Sequence, residues 1–215
     1  MDDMPDPSQM LLLFSGGLDS TALAALLRPK VLLYVDYGQR PAEAERTAAT
    51  NIAAALDLPL TTVALGIGEF GSGLLHDEES AALATAPSPE WWPYRNQFLG
   101  TAGAAIALQH ECSTVALGTV KSDGTRHLDG TLDFYEKLNA LVSAQEGGIN
   151  VVAPGIDKTT EELLVSAGLD ESVLGWTTSC HRSNLPCGNC PGCWKRQRVL
   201  ASLSIPGYTW NAVGE

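Results

Sequence analysis

Positive charge is scarce in this chain. Its 215 residues carry 13 Lys and Arg against 25 Asp and Glu, a formal net charge of −12. Such a chain lacks the summed positive field with which proteins follow a nucleic-acid backbone. Its dense basic run, Lys195-Arg196-Gln197-Arg198, reads as a solvated helix face. No run of about twenty apolar residues occurs, so no segment reads as a membrane-spanning helix. The start, Met1-Asp2-Asp3-Met4-Pro5-Asp6-Pro7, has neither the basic nor the apolar region of an export signal. It reads as a frayed arm, and the expected location is cytoplasmic. Internal repeats and a convincing domain linker are also missing. Disorder is excluded from the other side: 45% of the residues are hydrophobic, enough for a sizeable core.

One further absence matters. The stretch Phe14-Ser15-Gly16-Gly17-Leu18-Asp19-Ser20-Thr21 has the build of a phosphate-binding loop without the lysine of Gly-x-x-x-x-Gly-Lys-Ser/Thr. The apolar run 10–14 precedes it and an Ala/Leu-rich run, 22–27, follows. That order is strand, glycine turn, helix start. Paired glycines let the backbone approach a ligand closely. Asp19, Ser20 and Thr21 suit the first turn of a helix. The unpaired N–H groups of such a turn suit phosphate. Ser-Gly-Gly-x-Asp-Ser resembles the PP-loop of the ATP pyrophosphatases, which cleave ATP between its α and β phosphates and transfer AMP.

The rest of the chain alternates. Strands are expected over 31–36, 59–65, 114–118 and 150–153, and helices over 43–56, 98–110 and 132–144. Another helix starts at 158–162, with Thr159 as its cap. Strands alternating with helices predict a doubly wound parallel α/β sheet. In such sheets ligands bind beyond the carboxyl ends of the strands. The PP-loop, Asp36-Tyr37-Gly38-Gln39 and the polar segment from Lys121 through Asp123 to Asp129 all fall there. Residues 66–93 show no periodicity and read as an active-site lid, partly disordered without ligand. Trp91 and Trp92 read as its anchors, while Arg95 is harder to explain as packing.

Four of the five cysteines crowd the tail: Cys180, Cys187, Cys190 and Cys193. Their spacing, C-x6-C-x2-C-x2-C, brings four sulfurs to one ion. In a cytosolic protein that reads as a structural zinc site, with iron–sulfur as the alternative. His181 is not needed to complete the shell. Cys112 reads as core. The expected division is a PP-loop domain over 1–175 and a small zinc-binding segment over 176–215, packed on that domain.

The PP-loop and the four-cysteine tail together resemble the QueC family, the 7-cyano-7-deazaguanine synthases of queuosine biosynthesis. The motifs align in order from Leu13 to about Arg196. Asp36-Tyr37-Gly38-Gln39-Arg40 matches Asp-Tyr-Gly-Gln-Arg. Pro93-Tyr94-Arg95-Asn96 is similar to Pro-Gly-Arg-Asn, and Asp157-Lys158 matches Asp-Lys. Thr178-Ser179-Cys180 and Cys187-Gly188-Asn189-Cys190-Pro191-Gly192-Cys193 match the zinc segment. One region departs: the family's Tyr-Pro-Asp-Cys-Arg is His127-Leu128-Asp129-Gly130-Thr131 here.

The resemblance implies a fold of the adenine nucleotide α-hydrolase kind and an AMP-forming C–N ligase. Such an enzyme adenylates 7-carboxy-7-deazaguanine and converts it with ammonia to an amide and then a nitrile. It implies ATP, Mg²⁺ and structural Zn²⁺ as cofactors. Phe14, Ser15, Gly16, Gly17, Leu18, Asp19, Ser20 and Thr21 would hold the phosphates, and Tyr34 and Gln39 would line the nucleoside. Asp19 would position the loop or Mg²⁺. Arg95 and Lys158 would stabilise phosphate charge. Asp123 would act beside Lys121 and Asp129 toward the acceptor, with Arg40 and Asn96 also contacting substrate. A homodimer is common in the family. The departure at 127–131 motivates an alternative: a paralogue that stops at the amide and joins the deazaguanine to another amine, such as a protein terminus in anti-phage defence. A tRNA-modifying PP-loop enzyme and an ATP sensor are the remaining readings.

Overall fold

The structure, a computed structural model, describes residues 5–76 and 83–203. Five strands form one sheet: β1 Met10–Leu13, β2 Val31–Asp36, β3 Leu60–Ala64, β4 Thr114–Ala116 and β5 Asn150–Val152. They run parallel in the order β3-β2-β1-β4-β5. Among the described residues seven α-helices accompany them: α1 Leu18–Leu27, α2 Ala42–Ala55, α3 Arg95–Gln109, α4 Leu132–Ser143, α5 Thr160–Ala167, α6 Glu171–Leu174 and α7 Pro191–Ser202. The expected doubly wound α/β sheet is what forms.

The central strands are apolar throughout because both faces are covered. Met10, Leu12, Leu32, Tyr34 and Ala116 face a core shared with α1, α2, α5 and α7. Leu11, Leu13, Leu33 and Val115 face a second core shared with α3 and α4. A Cβ on Gly103 of α3 would lie 2.9 Å from Val115, so the small residues of that helix do permit close packing on the sheet. Cys112 is buried in the same core. Thr159 caps α5 with a full capping box, its side chain accepting from Glu162 N and Glu162 returning the bond to Thr159 N.

The structure differs from expectation at one boundary and in the burial of two stretches. Helix α3 starts at Arg95, three residues before its apolar pattern begins, because its first turn is polar. Trp92 anchors the loop before it, 1% exposed and edge-on to Tyr37 at 5.0 Å between ring centroids. Trp91 is only half-buried. The stretch 77–82 of the expected lid lies outside the described residues. The basic run 195–198 is not a solvated face. It lies on α7, and only Arg198 of its three cations is exposed. Val199 and Leu200 carry that helix into the first core. Among the described residues, no helix is long and apolar enough to cross a membrane.

The winding reverses between β1 and β4. The chain goes β1-α1-β2-α2-β3 to one side, then returns through α3 to place β4 on the other side of β1. This opens a crevice at the carboxyl ends of β1 and β4.

Candidate active site

The loop after β1 is built around Gly16. Its φ is +73°, and a Cβ there would lie 2.7 Å from Ala48 Cβ and 2.8 Å from Ala49 N. Only glycine lets the turn rest on α2. Gly17 is the N-cap of α1 and makes no side-chain cap. Ser15 Oγ accepts from Gly17 N at 3.3 Å, and Ser20 Oγ donates to Gly17 O at 3.2 Å. The first-turn N–H groups and two hydroxyls therefore border the crevice, an arrangement suited to anions.

The crevice is a cleft of about 340 Å³. Phe14, Ser15, Gly17, Leu18, Asp19, Ser20 and Tyr34 form the phosphate-loop side. Arg95, Asn96, Asp123 and Asp129 form the other. The structure thus brings most of the expected site together. Gly16 and Thr21 shape the loop without lining the cleft, and Thr21 is fully buried in α1. Gln39 also stays behind the surface. It donates to Glu45 Oε2 at 2.7 Å and to Tyr34 Oη at 3.2 Å, and accepts from Tyr37 N at 2.8 Å.

Three expected contacts stand outside the cleft lining. Lys158 is half-exposed, 3.6 Å from Asp157 Oδ2. Lys121 is exposed, and its backbone N–H donates to Lys158 O at 2.9 Å. Arg40 donates its backbone N–H to Leu75 O at 2.8 Å.

The cleft also holds residues that no motif revealed. Lys195 Nζ lies 2.8 Å from Asp19 Oδ2, while Thr160 Oγ1 donates to Asp19 Oδ1 at 2.5 Å. Both oxygens of Asp19 are thereby engaged, and Asp19 sets the position of Lys195. Arg196, next along α7, donates to Thr177 Oγ1 at 3.1 Å and Leu174 O at 3.2 Å. Glu45, Glu90, Arg126, His127 and His181 add to the polar lining. Arg126 and His127 fall within the polar segment 121–129; the others carry no local signal.

The charges are tuned by burial and by neighbours. Burial works against the Arg95 cation, but Tyr37, Asp129 and Glu45 hold it charged. Burial pushes the Asp123 carboxyl up, opposed by the Lys195 ammonium. Burial pushes the His181 imidazole down to about 4. Burial also pushes Glu45 up to about 7, against the bond from Gln39 and the charge of Arg95. Its folded value exceeds the ordinary 4.5, so the native state holds this proton more tightly. The stability it contributes then falls as pH rises from about 4.5 to about 7. Glu45→Gln keeps an acceptor for Gln39 and removes that penalty. Calorimetry is expected to show a Tm gain of about 2–4 °C at pH 8 and none at pH 4. An equal shift at both pH values would sink this account.

The four tail cysteines converge. Their sulfurs all lie within 4.8 Å of one another, with Cys187 Sγ and Cys193 Sγ 3.9 Å apart. Ligand sulfurs about 2.3 Å from a tetrahedral ion lie at about that separation. Backbone N–H groups support the sulfurs: His181 and Cys193 donate to Cys190, Arg182 to Cys180 and Asn189 to Cys187, each at 3.4 Å. The donor set fits one metal ion. A Cβ on Gly192 would lie 1.8 Å from Ser179 O, so glycine is required where the knuckle meets the cleft. Thr178 N donates to Gly16 O at 3.1 Å and ties this segment to the phosphate loop.

A parallel sheet with a reversal at β1 and β4, a PP-loop in the crevice and a four-cysteine cluster able to hold a metal ion define a PP-loop α/β protein. The family model described as queuosine biosynthesis protein QueC matches residues 9–204, and the chain belongs to the QueC family. It is similar to the 7-cyano-7-deazaguanine synthase of Methanothrix thermoacetophila, with 29% identity over 215 residues, 92% of this chain and 96% of the relative. It is similar to the Campylobacter jejuni 7-cyano-7-deazaguanine synthase, with 26% identity over 212 residues, 91% of this chain and 94% of the relative. Desulfitobacterium hafniense 7-cyano-7-deazaguanine synthase 1 is 26% identical over 204 residues, 90% of this chain and 91% of the relative.

Proposed function

We propose that the chain is an ATP-dependent ligase that adenylates 7-carboxy-7-deazaguanine, releases pyrophosphate and forms a C–N bond with ammonia, giving the amide and then the nitrile. One observation carries the reading beyond the family match. The phosphate loop shares a single cleft with Arg95, Asn96, Asp123 and Asp129. An amine cannot displace oxide from a free carboxylate. Transfer of AMP supplies a good leaving group, and the enzyme's task is then positioning and charge stabilisation.

The loop N–H groups, Ser15 and Ser20 take the phosphates in this reading. Lys195 and Arg95 neutralise charge that develops on them. Asn96 and Asp129 belong to the acceptor side. Asn96 Nδ2 already donates to the Asp129 carbonyl at 3.0 Å and ties the two residues of that side together. Lys158 would reach phosphate only by leaving Asp157. Mg²⁺ would arrive on the nucleotide's own phosphates, needing one or two protein carboxylates; Asp19 and Asp123 line the cleft. Zinc is the ion the tail favours. Four thiolates form a closed tetrahedral set, and sulfurs this close suit one ion better than an iron–sulfur cluster.

The test is pyrophosphate release from ATP with 7-carboxy-7-deazaguanine and ammonia, products read by mass spectrometry. The nitrile is expected. Turnover ending at the amide would support the reading in which the amide is the product and another amine, such as a protein terminus, is the acceptor. The replacement of the family's Tyr and Arg by His127 and Thr131 favours that second reading. No release with this acid, from protein that binds ATP and metal, would overturn both.

A further inference from the structure

Glu90 stands in the wall of the cleft with its side chain 6% exposed. Its Oε1 is ion-paired with Arg126 Nη2, and His127 Nε2 lies 3.8 Å from the same oxygen. Its Oε2 is buried and has no hydrogen-bond partner among the described residues. Burial alone would push this carboxyl up. The nearby His127 imidazole, its own backbone N–H and the charge of Arg126 outweigh burial and hold it at about 2. At neutral pH the cleft therefore contains a fixed anion with one oxygen awaiting a donor. A buried acceptor of this kind is costly until a ligand supplies one.

We propose that Glu90 reads the donor edge of the substrate's heterocycle, with the exocyclic amino group of a 2-aminopyrimidin-4-one donating to Oε2. This rests on the ligase reading above. It names the residue that distinguishes a guanine-like acid from an acid lacking the amino group. The charges around Glu90 select the kind of donor. Arg126 is paired to it, and Arg95 and Lys195 line the same cleft. An ammonium ion entering among these cations meets repulsion, whereas a neutral ring edge does not. The ring edge also offers two N–H groups side by side, the geometry a carboxylate accepts best. His127 Nε2, 3.4 Å from Ser88 Oγ, helps hold Glu90 in place. Glu90 and Arg126 lie outside the motifs shared with the family, and His127 stands where the motif departs from it.

Acid-dependent pyrophosphate release is measured with 7-carboxy-7-deazaguanine and with its analogue lacking the 2-amino group. The unaltered enzyme is expected to prefer the acid bearing the 2-amino group by about 10⁴-fold in kcat/KM, as a site built around a hydrogen bond does. Glu90→Gln is expected to reduce that preference to less than about 10-fold, through KM for the acid, with KM for ATP and for ammonia unchanged. Glu90→Asp keeps the charge that Arg126 requires and shortens the reach. It is expected to lose the preference likewise and serves if the glutamine variant does not fold. Full discrimination in the folded variants overturns the proposal alone. So does a change confined to KM for ammonia, which would make Glu90 the seat of the amine. An unaltered enzyme that uses neither acid overturns the ligase reading and the proposal together.

Discussion

Chelation of the metal, or Cys190→Ser, is expected to unseat one wall of the cleft and to abolish pyrophosphate release. Cys190 is 1% exposed and accepts two backbone N–H bonds on its sulfur, from His181 and Cys193. It is also the N-cap of α7. The residues on either side of the knuckle are the ones that reach the cleft: Thr178, Ser179, His181, Gly192 and Lys195. A structural zinc contributes about 10–16 kcal/mol to folding its site at neutral pH. That equals or exceeds the whole net stability of a typical domain, about 5–15 kcal/mol. The expected readings are one zinc per chain in the unaltered protein, none in the variant and a Tm lower by at least about 10 °C. Val199 and Leu200 of α7 belong to the first core, so loss of the knuckle loosens that core as well. Metal-free protein with unchanged Tm and undiminished pyrophosphate release would remove the structural role. Iron in place of zinc would reassign the metal and leave the role.

What the sequence made legible was what short stretches encode. Two-faced burial wrote β1 and β2 as unbroken apolar runs. Thr159 and Glu162 announced α5, because a capping box needs only four consecutive residues. The phosphate loop and the cysteine knuckles are equally local. Contacts between distant parts of the chain were hidden. Lys195 and Asp19 lie 176 positions apart, so the run 195–198 looked like a solvated helix face. Its orientation is fixed by Pro191 and by the cysteines that start α7, and no charge count reveals that. Glu45 and Glu90 had no motif either, although both line the cleft. Lys158 drew notice because it stands beside an aspartate in a recognisable pair. That aspartate is its partner in the fold, and the ammonium is half-exposed.

Lys195 and Lys158 can be separated by experiment, and the difference is expected to be large. An ammonium offers three N–H donors on a flexible stem. Asp19 accepts one from Lys195, and in the proposed reading the others serve a phosphate. Thr160 holds the far oxygen of Asp19, so the acid cannot swing away from the loop. Lys195→Met keeps the apolar stem and removes the charge. Its kcat for pyrophosphate release is expected to fall about 10²–10³-fold, the scale of losing one preorganised electrostatic contact. KM for ATP should move far less, since the charge matters most as pyrophosphate departs. Lys158→Met is expected to stay within about 3-fold of the unaltered enzyme. Asp19→Asn keeps an acceptor for Thr160 and loosens Lys195, and should fall between the two. If Asp19 acts by holding Lys195, the double variant is no worse than Lys195→Met alone. A Lys195→Met enzyme with full zinc and near-normal kcat, beside an inactive Lys158→Met, would move the phosphate contact to the other side of the cleft. Additive losses in the double variant would instead give Asp19 a contact of its own with nucleotide or Mg²⁺.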